Sequence, residues 1–287
     1  MHKVAIMTDT ISGIPREMAD ELQIEVVPLH VILDGVSYLD TEVDKSRLYQ
    51  RLAQRDTLPT TSAPTAVQFL RTYHKLSQTA EAIVHICYTS WIGMGHKQAV
   101  TARRMASQEL PGTRIALVNS QTEHGAQLLC VLEAARAAAE GMSFAAIVRR
   151  LNRLIPRLNL LYILDTVYYL GRGGRMGSAS AWTDTPLGLK SIVELDASTR
   201  GAMTPVTRAR SKARAMGRAV DIVAKRNKGR NLHVVVSHDD APADAEDLKQ
   251  RLLSQLPVKE IHVTGVSPVT IVHNGPGAIR LGWYSED

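Results

Sequence analysis

Cysteine is nearly absent: Cys87 and Cys130 are the only two in 287 residues. Both lie in apolar surroundings and match no metal-ligand spacing. They read as reduced core residues, not as a disulfide framework or a metal site. Aromatic residues are also scarce, at 5%, too few for a surface that stacks nucleic-acid bases. No apolar run approaches membrane-spanning length. The start, Met1-His-Lys-Val-Ala-Ile-Met-Thr8, enters a strand-like run almost at once, without a signal-peptide pattern. These absences lead us to expect a soluble, cytoplasmic protein with no stable membrane insertion. The chain also lacks a Gly-x-Ser-x-Gly elbow and a His-Glu-x-x-His helix, so no residue is singled out as catalytic and no cofactor is implied.

Apolar residues make up 45% and charged residues 22% of the chain, the balance of a globular protein large enough for one big or two medium domains. The net charge of +6 is unevenly placed: Arg200 to Arg230 holds ten Lys or Arg and one acid, Asp221. The spacing of Arg210, Arg214 and Arg218 puts them on one helix face. A solvated helix explains this first and docking of an acidic protein second. Nucleic acid comes third, because no aromatics are interleaved.

Along the chain, Lys3–Thr8 reads as a strand ending in Thr8-Asp-Thr10, and Pro15 opens a helix to Leu22. Ile24–Leu33 is β-rich and turns at Asp34-Gly35 into Val36. Asp44 caps a helix over 45–53. A hydroxyl-rich loop, Leu58-Pro-Thr-Thr-Ser-Ala-Pro-Thr65, precedes a helix over 66–77. Strands at 81–88 and 114–118 flank a helix ending near Ser107, and helices at 123–140 and 144–155 follow, separated by Gly141 and Ser143. Alternating strands and helices predict a parallel sheet with ligands beyond the strands' carboxyl ends. There Thr8–Thr10, Thr60–Ser62 and Thr89–Ser90 suggest a shared polar crevice.

The pattern changes near Pro156–Asn159, where we place a boundary between domains 1–158 and 159–287. The expected whole is α/β: an N-terminal parallel sheet flanked by helices, then a C-terminal α/β domain with a mixed sheet. In the second half, strands at 190–195 and 203–208 pair across a polar turn. A basic helix spans 211–226, and a strand (232–236), a helix (243–254) and a strand (260–263) follow. Ser237-His-Asp-Asp240 reads as a capped helix start beside a solvated acid pair. His273 is expected to close a strand before the turn Gly275-Pro-Gly277.

The richest stretch is Asp165-Thr-Val-Tyr-Tyr-Leu-Gly-Arg-Gly-Gly-Arg-Met-Gly177, led by the buried-strand run 160–164. Glycines let other groups approach the backbone, and arginine adds a permanent charge and a planar fork of donors. Either this is an ordinary turn with two solvated arginines, or it is a loop suited to an anion. It lacks the Lys-Ser/Thr ending of a P-loop. Its glycines at 171, 173 and 177 miss the dinucleotide spacing by one residue.

With those segments placed, the chain resembles the DegV family of bacterial fatty-acid-binding proteins over essentially its whole length. The resemblance rests on Thr8-Asp-Thr10, Thr61-Ser62 with Pro64, Leu164-Asp-Thr166 with Tyr169-Leu-Gly-Arg-Gly-Gly-Arg175, and His273-Asn-Gly-Pro-Gly-Ala278. It implies one long-chain fatty acid held between two domains. Its carboxylate would meet Thr61 beside Ser62, His273 with Asn274 and Gly275, and Arg175. The family's serine in the loop after the third strand is replaced here by Gly93, and Ser90, one helical turn's length earlier, is the candidate substitute. Ala63 and Ser191 also depart from the family pattern. The implied partner is a dihydroxyacetone-kinase-like subunit that phosphorylates the bound carboxylate to an acyl-phosphate for lipid synthesis, so the chain itself would not be an enzyme. The alternatives are a carrier of another amphipathic acid, a hydrolase or phosphate-binding enzyme using the Gly-Arg loop and His273, and a nucleic-acid regulator.

Overall fold

The computed structural model describes residues 2–54, 58–176 and 188–286. The apolar start forms β1 (His2–Asp9), whose end is turned by the Asp9 carboxylate accepting the Ile11 amide at 3.1 Å. After α1 (Arg16–Glu21), the β-rich stretch splits between two sheets. β2 (Ile24–Val27) lies parallel to β1, whereas β3 (His30–Leu33) forms a hairpin with β4 (Val36–Leu39). Asp34 and Gly35 both take positive φ, 54° and 80°, as an Asp-Gly hairpin turn requires. α2 (Lys45–Gln54) starts at Asp44, whose carboxylate accepts the Ser46 amide at 2.9 Å. The hydroxyl-rich segment expected as loop is instead a strand, β5 (Thr60–Ser62), antiparallel to β3 with Thr61 opposite Val31. Three residues between prolines are too short to show an alternating pattern, so only the pairing reveals them.

α3 (Ala66–Ser77), β6 (Ala80–Cys87), α4 (Gly95–Glu109) and β7 (Arg114–Asn119) follow the expected alternation. β2, β1, β6 and β7 make an all-parallel sheet in that order. One face is covered by α3 and α4 through Phe69, Tyr73, Ala99 and Ala102. On the other face lie α5 (His124–Ala139) and α6 (Phe144–Leu154). Cys87 and Cys130 are free and buried, as expected.

The second sheet uses β8 (Asn159–Leu164), then, after α7 (Tyr168–Arg172), β9 (Lys190–Glu194) and β10 (Thr204–Ala209). α8 (Lys212–Asn227), β11 (Leu232–His238), α9 (Pro242–Gln255), β12 (Val258–Gly265), α10 (Pro268–Asn274) and β13 (Ile279–Ser285) complete it. The order is β10-β9-β8-β13-β11-β12, with β11 and β12 parallel and the remaining pairs antiparallel, so the sheet is mixed. α8 and α9 cover one face. α5 covers the other, touching β11 and β13 as well as β1 and β6. A helix between two sheets must be apolar nearly all round, and α5 is: Leu128, Leu129, Cys130, Val131 and Leu132 are all buried. The contact with β13 is backbone on backbone. A Cβ on Gly282 would sit 2.4 Å from the Ala126 nitrogen.

Four expectations need correction. His273 does not close a strand: it lies in the last turn of α10, a helix built from β-branched residues and buried on nearly every side. The final strand β13, central in the mixed sheet, was not anticipated. Asp239 is not solvated but fully buried, paired with the equally buried Arg280 at 2.8 Å. Arg210 precedes α8, whose N-cap is Ser211, so it does not share a helix face with Arg214 and Arg218. Gly177 lies outside the described residues.

Candidate functional site

Three separated segments meet beside α10. β5 presents Thr61 from the edge of its small sheet, the turn after α7 presents Arg175, and the last turn of α10 presents His273. The Thr61 hydroxyl and His273 Nε2 are 2.7 Å apart. Gly173 makes the approach possible, because a Cβ there would lie 2.8 Å from His273 Nδ1. Behind them, Gly275 turns the chain at φ 74°, and a side chain there would strike the Tyr169 ring.

A cavity of about 610 Å³ lies on one side of this meeting point. Its walls include Ile11, Leu29, Tyr88, Leu170, Met203 and Val269. A second hollow of about 410 Å³, lined by Pro59, Tyr169, Arg172 and Val272 among others, lies on the other side. Thr61, Arg175 and His273 line both. A mainly apolar chamber therefore ends at a small cluster of donors that is also reachable from a more polar vestibule.

Burial, and after it the positive charge of Arg175, lower the pKa of His273 to about 4, so the imidazole is neutral near pH 7. A neutral ring protonated on Nε2 donates to Thr61 and frees the threonine O–H for a ligand. His273 Nδ1 and Arg175 Nε are buried without a hydrogen-bond partner among the described residues. The Arg175 fork reaches the Gly173 carbonyl through one terminal nitrogen. The freed Thr61 O–H and the unpaired Arg175 Nε–H are donors that suit an oxyanion.

Of the other expected site residues, Ser62, Ser90, Gly93 and Asn274 also line the larger cavity. The Ser90 hydroxyl accepts from Asn119 Nδ2 at 2.9 Å, in a turn and not a helix. Gly93 lies against the Tyr88 hydroxyl. Asn274 donates to the Thr270 carbonyl at 3.1 Å and leaves its Oδ1 unpaired. Gly275 turns the chain and does not line the cavity. The shared crevice expected from three hydroxyl-rich strand ends is only partly realised. Thr8 is bonded to the Ile86 carbonyl, Thr10 to Asp40 and Thr89 to the Gly201 carbonyl. Glu123 and His124, at the start of α5, line the cavity unanticipated. Their adjacency in sequence was the only signal available.

The profile of the DegV family, described as uncharacterised proteins, matches residues 3–286. The chain belongs to the DegV family. A DegV domain-containing protein of Streptomyces coelicolor is 30% identical over 281 residues, covering 97% of each chain. Among solved structures, a DegV family protein from Thermus thermophilus, described by its fatty-acid binding, is similar with a TM-score of 0.91 at 28% identity. That match covers 99% of this chain and 100% of the other. DegV of Bacillus subtilis, described as a fatty acid binding protein, is similar with a TM-score of 0.86 at 25% identity over 100% of both chains. The parallel and mixed sheets described above are therefore the DegV fold.

Proposed function

We propose that this chain holds a long-chain fatty acid with its tail in the 610 Å³ cavity and its carboxylate against Thr61, Arg175 and His273. The boundary near 158/159 would then divide two domains that grip one ligand. The observation that carries the reading is the 2.7 Å contact between Thr61 and His273, at the point where both hollows meet Arg175. The fatty-acid binding of the Thermus thermophilus and Bacillus subtilis relatives supports it.

The energetics divide between the two ends of the ligand. A carboxylate leaves water at high cost unless charge-assisted hydrogen bonds replace its hydration, and on this reading the Thr61 hydroxyl, oriented by His273, and the Arg175 guanidinium do that. The tail gains about 0.8 kcal/mol per buried CH₂, roughly 10 kcal/mol for a long chain before ordering costs. The tail supplies affinity and the head fixes orientation.

A Thr–His pair also resembles a nucleophile with its base, but the details favour a carrier. His273 Nδ1 has no hydrogen-bond partner among the described residues, so no third group orients it. A pKa of about 4 makes it a weak base. We therefore assign the chain no covalent chemistry and give the phosphorylation of the exposed head to a separate dihydroxyacetone-kinase-like subunit. The polar vestibule with the exposed Arg172 is the side from which that subunit would reach the carboxylate. Native mass spectrometry of the purified chain is expected to find a fatty acid of defined length bound one to one. An empty protein that also ignores added hexadecanoic acid would end this reading.

A further inference from the structure

The start of α5 borders the fatty-acid cavity; a second concave surface lies near its other end, at Glu133 and Arg136. This groove, of about 860 Å³, is walled by α6 on one side and by residues of β12 and β13 on the other. The α6 wall presents Met142, Ala146, Arg149, Arg150, Arg153 and Arg157, one flank of the helix from before its start to just past its end. That flank is about 20 Å long at a rise of about 1.5 Å per residue. The carrier reading makes no use of it.

Charge in the groove is unbalanced. Its three acids are already satisfied. Glu260 is met by Arg136 Nη1 at 2.9 Å, by His233 at 2.8 Å and by His262 at 2.7 Å. Glu133 accepts from Arg150 Nη2 at 2.8 Å and from the Tyr284 hydroxyl at 3.0 Å. Glu286 accepts from Asn231 at 3.0 Å and pairs with Lys259. Against these three acids stand five arginines and one lysine, so positive charge is in excess even with His233 left out. Arg149 and Arg153 hold the surplus. Both are exposed, and neither has a hydrogen bond or ion pair among the described residues.

We propose that this groove docks an acidic segment of another protein, one whose carboxylates recur about every 6 Å along its length. Arg149 and Arg153 stand one helical turn apart at about that interval, and Arg157, anchored on the Ser285 carbonyl, continues the row. A guanidinium offers a planar fork that matches a carboxylate. A small anion would meet one or two of these forks and leave most of the groove empty. A nucleic-acid strand would bring anions at a comparable spacing, but it binds by stacking its bases on free rings as well. The two rings here, His233 and Tyr284, are stacked on each other, with centroids 4.6 Å apart and planes within 3°. They are also buried, at 7% and 6% exposure. No ring is left for a base, and the acidic protein segment is the better fit.

The test titrates the full chain into a fluorescently labelled Glu-Ala-Ala-Ala repeat peptide, whose helix sets its glutamates one turn apart. Two comparators carry the same charge: a peptide of identical composition with its glutamates in one block, and a single-stranded oligothymidylate. The spaced peptide is expected to bind about tenfold more tightly than either. Arg149→Glu with Arg153→Glu turns two attractions into repulsions, and should weaken the spaced peptide about tenfold. Because neither side chain has a partner to lose, the melting temperature should barely move. Equal affinity for the blocked peptide or the oligothymidylate would reduce the groove to a general basic surface and overturn the proposal. Absence of binding by the spaced peptide, or an affinity unmoved by the double substitution, would overturn it as well. Fatty-acid binding is untouched by any of these outcomes.

Discussion

At the scale of single residues, the informative groups are those whose surroundings alter their protonation. Asp9 is fully buried, and burial lifts its pKa to about 7 against the hydrogen bonds from Gln127, Tyr88 and Ile11. The folded state therefore holds a proton that the unfolded state gives up near pH 4. The resulting stability is complete at low pH and is lost as pH rises through 7, on the order of 4 kcal/mol across the window. His85 and His273 oppose this trend, because burial lowers their pKa values to about 3 and about 4. The clean measurement is thus a difference. The melting temperature of Asp9→Asn should gain steadily on the wild type between pH 4 and pH 7. A second expectation concerns Thr61→Val, which keeps the side chain's shape and removes the hydroxyl. Fatty-acid affinity should fall about tenfold or more, since hydrogen bonds to charged groups contribute roughly 1.5–3 kcal/mol, while the melting temperature shifts little. The identities of Thr61, Arg175 and His273 were legible in the sequence only through short motifs. Nothing in their spacing, 212 residues between the first and last, says that they meet. Asp239 was misread for the same reason. Its partner Arg280 lies 41 residues away, and a lone acid in a polar tetrapeptide looks solvated until that partner is found.

At the scale of elements, local signals worked where they were chemically strong. Asp34-Gly35 specified a hairpin. The helix over 66–77 was found to the residue, Thr65 and Gln68 forming a capping box at its start. The failures share one cause: burial by the rest of the molecule overrides local propensity. Pro268-Val-Thr-Ile-Val-His273 is β-branched and reads as a strand, yet its sides are packed against α2, α7 and β3, and helix satisfies its backbone there. Pro268 at the first helical position was the overlooked signal. The fit of α5 onto β13 gives a further expectation. Gly282→Ala places a methyl 2.4 Å from the Ala126 backbone nitrogen, which cannot swing aside as a side chain would. It should destabilise the fold by about 1–3 kcal/mol, whereas Gly112→Ala, with nothing within 4 Å, should be close to neutral. Paired urea titrations would separate the two.

At the scale of the whole molecule, the basic second half is less uniformly free than its composition implied. Arg218 reaches the Arg208 carbonyl, Arg226 pairs with Glu194 at 2.6 Å, and Lys212 binds Asp244 at 2.6 Å and the Gly277 carbonyl at 2.5 Å. Arg210, just before α8, and Arg214, in its first turn, are exposed, and Lys212 between them bonds the Gly277 carbonyl in the turn that follows His273. If a kinase subunit acts on the bound acid as proposed, reversing Arg210 and Arg214 to Glu should slow that phosphorylation, most clearly at low salt where exposed charges act furthest, while leaving fatty-acid affinity unchanged. Equal rates at low salt would count against α8 as the docking face. The junction where Thr61, Arg175 and His273 border two hollows at once has a different consequence. What the chamber accepts and what happens at the vestibule are governed by different walls. If the chain carries acids as proposed, evolution could widen or narrow their menu through Ile11, Tyr88 or Val269 while the head stays in register with the partner that acts on it. Diversity of cargo and constancy of delivery are then compatible within one scaffold.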